Sequence, residues 1–410
     1  MKRAITLAGG GPAVGLSLGA LKYLVAEKKM QFDVWAMSCI GAWLGVVWNQ
    51  CDQGREFEQS KAFFDGVFRD DRTYSKFPIA TIFAPDYMSD ARKMVEFMMD
   101  PRSYADLVLP DKIAEAAETV FSFMTDPRKW NQGDFNSLIL NQFMAVNPWA
   151  RFATSMMYRS RVNGLARVYY PDSSFLKQIR FERLYQPNKP VLYHNTYNMT
   201  DKRLEHYGNK DLPGFAGRIT GQTLCACSAL PYVEEPVEMN GKSYCEGATI
   251  DTVDFYRLVH DHAVDEVWVS RILDTKQVKK PDDLYDALNN LVMLFAATVS
   301  EDDVRLFKYH LQESGRTDVK VVEIHVSQNA NYDWTYSNLD ACIEEGYLAA
   351  KLAHAAYAAG AETPAELPPG GQVAAGQIAA GQIAAEGARA GRVTDQSGAR
   401  GRARRPAVVA

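Results

Sequence analysis

Two short segments about two hundred residues apart carry residue types suited to acyl transfer: Met37-Ser38-Cys39-Ile40-Gly41 and Glu246-Gly247-Ala248. The first follows the apolar run Phe32-Asp33-Val34-Trp35-Ala36 and precedes the helix-like run Ala42 to Trp48. That is the strand, sharp turn and helix in which a G-x-S-x-G nucleophile elbow is set. Against the pattern, Cys39 takes the nucleophile's place, Gly41 the last glycine's and Met37 the first glycine's. A thiol with a pKa of about 8.5 supplies some thiolate near neutrality and needs less activation than a hydroxyl. The N-terminus of a helix beginning near Ile40 would favour that charge further. Glu246 supplies a carboxyl of acid/base type: were it set beside a thiolate, double ionisation would be disfavoured and the two groups would share one proton that can pass to a leaving group. Ser38 competes as nucleophile, one position before the expected one.

A third segment adds an electrophilic element. Ala4 to Ala8 reads as a short buried strand, Gly9-Gly10-Gly11 follows, and a helix-like stretch runs from Leu16 to Leu24. Consecutive glycines let backbone N–H groups converge on a small anion at a helix start, which in acyl transfer is an oxyanion hole.

In this order and spacing the chain resembles the patatin-like phospholipase family. Members open with a strand and a glycine-rich oxyanion loop, present Ser on an elbow, and complete a Ser–Asp dyad from an Asp-Gly-Gly or Asp-Gly-Ala motif. The resemblance covers most of residues 3–358. Ala226-Cys227-Ser228-Ala229-Leu230-Pro231 resembles the approach to the acidic motif and Tyr244-Cys245-Glu246-Gly247-Ala248 the motif itself. Asp265 to Val269 resembles the strand that follows, and Glu344 to Ala350 the closing helix. The family's Ser is Cys39 here and its Asp is Glu246; the Arg often found after the glycine loop is absent from Pro12-Ala13-Val14-Gly15. The resemblance implies an α/β, patatin-like three-layer fold with a mostly parallel central sheet and helices on both faces. It implies a Cys39–Glu246 dyad, an oxyanion hole from Gly9, Gly10 and Gly11, and supporting turns at Gly41 and Gly247. The implied activity is hydrolysis of a hydrophobic carboxylic ester (lipid, phospholipid or aliphatic polyester) through a Cys39 thioester. An acyltransferase using the same thioester and an inactive lipid-binding relative are the alternatives.

Composition limits other classes. A net charge of −5 gives no overall attraction to nucleic acid or anionic lipid, so any membrane contact is local. The six cysteines form no C-x-x-C pair and the seven histidines no H-E-x-x-H, so neither a metal nor another cofactor is expected. Cys225, Cys227 and Cys245 read as core packing. Free thiols, an N-terminus interrupted by Gly9 to Pro12 and the lack of a long apolar span predict a cytoplasmic protein, peripheral at most on a membrane or granule.

Strand and helix signals alternate at both ends of residues 1–358: strands at Ala4 to Ala8, Phe32 to Met37, Val191 to Tyr197, Val264 to Ser270 and Val319 to Ser327. Between them, about residues 52–189 read as a helical insertion crowded with Met and aromatics, as in Met94 to Met99 and Phe143 to Trp149. Its apolar stripes suggest packing onto the sheet, and as a whole it is the candidate lid or docking surface for a greasy substrate. Residues 359–410 read as a disordered tail, with Gly-Gln-Ile-Ala-Ala repeats and the arginines 389, 392, 400, 402, 404 and 405.

Overall fold

The apolar run that ends at Leu7 becomes an interior strand of a sheet, with each of its faces covered. In the computed structural model, which describes residues 1–72, 87–105, 108–139, 147–161, 164–271, 278, 280–326 and 333–361, the chain opens with β1 (Arg3–Leu7), α1 (Val14–Leu21), β2 (Val34–Met37) and α2 (Cys39–Gln50). The insertion contributes α3 (Glu56–Asp65), α4 (Tyr87–Met99), α5 (Pro110–Thr125), α6 (Gln132–Ser137), α7 (Pro148–Arg159), a short β3 (Gly164–Ala166) and α8 (Ser174–Gln178). The remainder runs β4 (Val191–Asn198), β5 (Arg203–Gly208), β6 (Phe215–Arg218), α9 (Gly221–Cys227), β7 (Tyr232–Glu234), β8 (Val237–Met239), β9 (Lys242–Glu246), α10 (Phe255–His260), β10 (Glu266–Ser270), α11 (Leu284–Glu313), β11 (Lys320–Ile324) and α12 (Tyr336–Ala358).

The main sheet has the order β11-β10-β1-β2-β4-β5-β6. Its first five strands are mutually parallel, with Leu7 level with Met37 and Met37 level with His194. Beyond them β5 and β9 both pair antiparallel with β4, and β8 pairs with β9. Side chains alternate between two cores, as strand geometry requires. Ile5, Leu7, Trp35, Met37 and Trp268 face one core; Ala4, Val34, Ala36, Val267 and Val269 face the other, against Phe255, Leu258 and Phe307 of α10 and α11. This is the three-layer arrangement that the strand spacing implied, with strand bounds within a few residues of those read from sequence.

The insertion departs from expectation. Phe63 and Phe64 of α3 and Phe175 and Leu176 of α8 join the core as apolar stripes should, and Phe63 meets Phe175 edge to face at 5.9 Å. By contrast α4, α5, α6 and α7 bury no residue. Their apolar side chains partly cover one another, as where Phe97 of α4 meets Phe152 of α7 at 5.7 Å, while Met88, Met99, Phe121, Met124, Trp149, Met157 and Tyr158 stay exposed. The Phe143 to Val146 part of the aromatic run and the tail from residue 362 lie outside the described residues. Among those described, no helix is long and apolar enough to cross a membrane.

Candidate active site

The chain turns from strand to helix within two residues. Ser38 continues the extended backbone of β2, with φ −147° and ψ 156°. Cys39 then takes φ +48°, a left-handed conformation that costs a non-glycine residue of order 1 kcal/mol and persists only where its surroundings enforce it. The enforcement is visible on both sides. At Gly41 an added Cβ would lie 2.2 Å from the Leu7 carbonyl oxygen and 2.6 Å from that of Ala8, so only glycine lets the start of α2 press on the end of β1. Met37, which occupies a position where the elbow pattern has glycine, is fully buried. Its Sδ would lie 2.1 Å from a Cβ at position 45. Gly45, on the second turn of α2, therefore makes the room that the methionine fills.

Gly9, just past β1, brings the site together. A Cβ there would stand 2.6 Å from the Cys39 Cβ, 3.3 Å from the Cys39 Sγ and 3.2 Å from a Glu246 carboxylate oxygen. Thiol and carboxyl thus converge on one point, which a side chain at position 9 would occupy. Next to it, Gly11 has φ +51° and opens the short 3-10 turn Gly11–Ala13, with Pro12 at its start and the Ala13 N–H donating to the Gly10 carbonyl at 3.1 Å. Among the described residues, none accepts from the N–H of Gly10 or Gly11.

Glu246 ends β9 opposite Thr196 of β4. Its N–H donates to the Ala229 carbonyl at 2.9 Å, and its own carbonyl accepts from the Thr249 hydroxyl at 2.9 Å. Gly247 lies against Asn195, whose amide would be 2.8 Å from a Cβ there and which donates to the Asp251 carbonyl at 2.6 Å. Strand, short turn and β4 together aim the carboxyl at the elbow. Ser38, in contrast, is fully buried and its hydroxyl has no partner among the described residues.

A comparison with protein families matches residues 5–259 to Patatin, the patatin-like phospholipases. The chain belongs to the patatin-like phospholipase family. A comparison with curated proteins gives no match. Among solved structures, the crystal structure of VipD from Legionella pneumophila is 14% identical over 86% of this chain and 66% of that one, with a TM-score of 0.38. The chain thus spans just under two thirds of that structure's length.

Within this patatin-like site the charges sit otherwise than the helix start alone suggests. Burial pushes the Glu246 carboxyl up to about 7, partly offset by its hydrogen bond with Cys39. Burial also pushes the Cys39 thiol well up, and the nearby Glu246 and Cys227 add to the effect, while the Ile40 N–H only partly opposes it. Desolvation outweighs the helix terminus. Both shifts favour a neutral thiol beside a carboxyl raised to about 7, against the expectation of an easily formed thiolate.

Two residues matter that sequence reading did not place. Cys227, the last residue of α9, is fully buried, and its Sγ accepts the backbone N–H of Cys39 at 3.1 Å. It is a contact of the elbow as well as core packing. Glu234 is buried, with one carboxylate oxygen lacking a partner among the described residues. Burial pushes its carboxyl far up, and the neighbouring Glu246 charge pushes it further. Next to it Glu235 pairs with Lys93 from α4 and with Arg167, the latter at 2.7 Å. Burial and the nearby Glu246 and Glu235 charges all favour the neutral acid at Glu234. No sequence pattern marks either residue, because each acts through a contact made by the tertiary fold. Among the described residues no three His, Cys, Asp or Glu side chains group as a metal site.

Proposed function

We propose that the chain is an acyl hydrolase acting on a hydrophobic ester at a lipid surface, with Cys39 as nucleophile and Glu246 as general acid/base. The observation that carries this reading is the convergence of the Cys39 Sγ and the Glu246 carboxylate on the space beside Gly9. Family membership supports a lipid ester as substrate. As the sulfur attacks the ester carbonyl, its proton passes to Glu246, so no free thiolate is needed at rest. The tetrahedral oxyanion is held by the backbone N–H groups of the glycine loop, Gly9, Gly10 and Gly11. Glu246 then protonates the departing alkoxide and leaves a Cys39 thioester. Water, deprotonated by Glu246, attacks that thioester; the acid departs and Cys39 regains the proton.

The insertion supports the lipid surface. α7 presents Trp149, Met157 and Tyr158 to solvent, and the sequence has no acidic residue between Asp134 and Asp172 while carrying Arg151, Arg159 and Arg161 on or beside α7, the last of them 3.9 Å from Glu96. Exposed aromatic and Met side chains flanked by arginines suit the interface of an anionic bilayer or granule. Cys39→Ala tests the assignment: turnover of a short soluble ester falls to background in a protein with the parent's circular dichroism. Parent-like turnover would remove Cys39 from the mechanism.

A further inference from the structure

The contact between Cys39 and Cys227 has a use that ester hydrolysis does not require. The N–H of Cys39 reaches the Cys227 Sγ at 3.1 Å. That places the second sulfur within about 4.6 Å of the Cys39 Cα, since N and Cα are about 1.46 Å apart. The Cys39 Sγ lies about 2.8 Å from its own Cα, so the Cys227 sulfur stands within the reach of a rotated Cys39 side chain, and a bond of about 2.05 Å is the geometry the test must find. The two thiols differ in access: Cys39 is half-buried at the mouth of the elbow, whereas Cys227 is fully enclosed behind it. An outer thiol with an inner one at its back is the arrangement of a cysteine and its resolving partner; because burial pushes the Cys39 thiol up, its oxidation depends on Glu246 taking the proton as the sulfur attacks. Cys225 is drawn elsewhere, with its Sγ 3.7 Å from the Val168 carbonyl.

We propose that Cys39 and Cys227 are a modification site at which a hydroperoxide installs a reversible disulfide, which blocks the nucleophile. The inference rests on Cys39 acting as a nucleophile and not on the identity of the ester. Cys39 sulfur attacks one peroxide oxygen as its proton passes to Glu246; the O–O bond breaks, and the departing hydroxide (from hydrogen peroxide) or alkoxide (from an organic hydroperoxide) takes that proton and leaves as water or as the alcohol. Cys39 is now a sulfenic acid, oxidised by two electrons at the expense of the peroxide. Cys227 sulfur attacks the Cys39 Sγ, its proton joins the displaced hydroxyl, and water departs. A dithiol reductant reverses the bond and returns both thiols.

Hydrogen peroxide is the probe, applied to the full-length protein without substrate and followed by intact-mass measurement and peptide mapping under non-reducing conditions. The expected result is loss of two hydrogens of mass, a linked Cys39–Cys227 peptide, loss of turnover, and recovery of mass and turnover with dithiothreitol. Cys227→Ser, whose hydroxyl can still accept the Cys39 N–H, should add oxygen stepwise at Cys39 without a link, and dithiothreitol should not reverse the later products. A linked Cys39 to any other cysteine, oxygen added at Cys39 of the parent with no link, or no oxidation of Cys39 overturns the proposal. The mass readout needs no ester, so a protein that forms the link but hydrolyses nothing would sink the hydrolase reading alone.

Discussion

The elbow and the insertion helices are built on opposite terms. Around Cys39 the ends of β1, β2 and β9 meet so closely that glycine is required at positions 9 and 41, and the Met37 side chain fills the space above Gly45. In α4 to α7 no residue is buried, and large apolar side chains face outward. Close packing suits chemistry, where an error of an ångström between sulfur, carboxylate and oxyanion donors is costly. A loosely packed apolar surface suits contact with a substrate phase of variable shape. Changes at the first region should therefore cost rate or stability, and changes at the second should cost neither.

The largest expected effect is at Glu246. Glu246→Gln keeps the shape and removes the proton acceptor, so turnover should fall by about two to four orders of magnitude. In the parent, kcat/KM should rise with pH along a limb centred on the Glu246 value of about 7, and this limb should vanish in the variant. Stability should move the opposite way. The folded carboxyl titrates above its unfolded value of 4.5, so between the two values the folded state binds more protons than the unfolded one. Stability then falls as pH rises through that window, reaching a deficit of about 3 kcal/mol above it. Glu246→Gln should lack that deficit: relative to the parent, urea melts should show it gaining stability above pH 7 but not below pH 4. An activity limb that survives the substitution would assign the titration to another group, Glu234 first.

A smaller effect tests the packing of the elbow. Gly45→Ala gains up to about 1 kcal/mol of helix propensity, but its Cβ meets the Met37 Sδ, an overpacking cost of about 1–3 kcal/mol. Alone it should destabilise; in a Met37→Ala background it should stabilise. A double-mutant cycle read by denaturant melts checks the sign, and additive behaviour would break the claim that Gly45 compensates for Met37. The smallest effect is expected on the insertion. Trp149→Ser with Met157→Ser should leave stability within about 0.5 kcal/mol and soluble-ester turnover unchanged, yet weaken sedimentation with anionic vesicles. A cooperative loss of folding would erase the contrast between the two regions.

What sequence made legible follows the range of the physical signals. The strands of the parallel core announce themselves as short apolar runs, and the turn at Cys39 is local, so its residues could be named from spacing. Cys39 and Glu246 could be paired only through the resemblance, and the fold brings them together. The neutral state of the thiol was not legible, because desolvation depends on packing from distant segments. Neither was the contact of Cys227 with the Cys39 N–H, made across 188 positions, nor the pairing of Gly45 with Met37. The Met and aromatic stripes of α4 to α7 carried the usual signature of core helices; whether a stripe is covered is decided by what lies opposite it, and here no described helix is seated to bury it.

The central claim is that acyl groups pass through Cys39, and trapping the intermediate tests it most directly. Glu246→Gln should accept an acyl group from an activated short-chain ester but deacylate slowly, because water then lacks its base. Acid-quenched protein, measured intact and then mapped by peptide mass spectrometry, should carry one acyl group as a thioester on Cys39 that hydroxylamine removes. An acyl group found on Ser38 or elsewhere, or none while the parent turns over the same ester, would contradict the account.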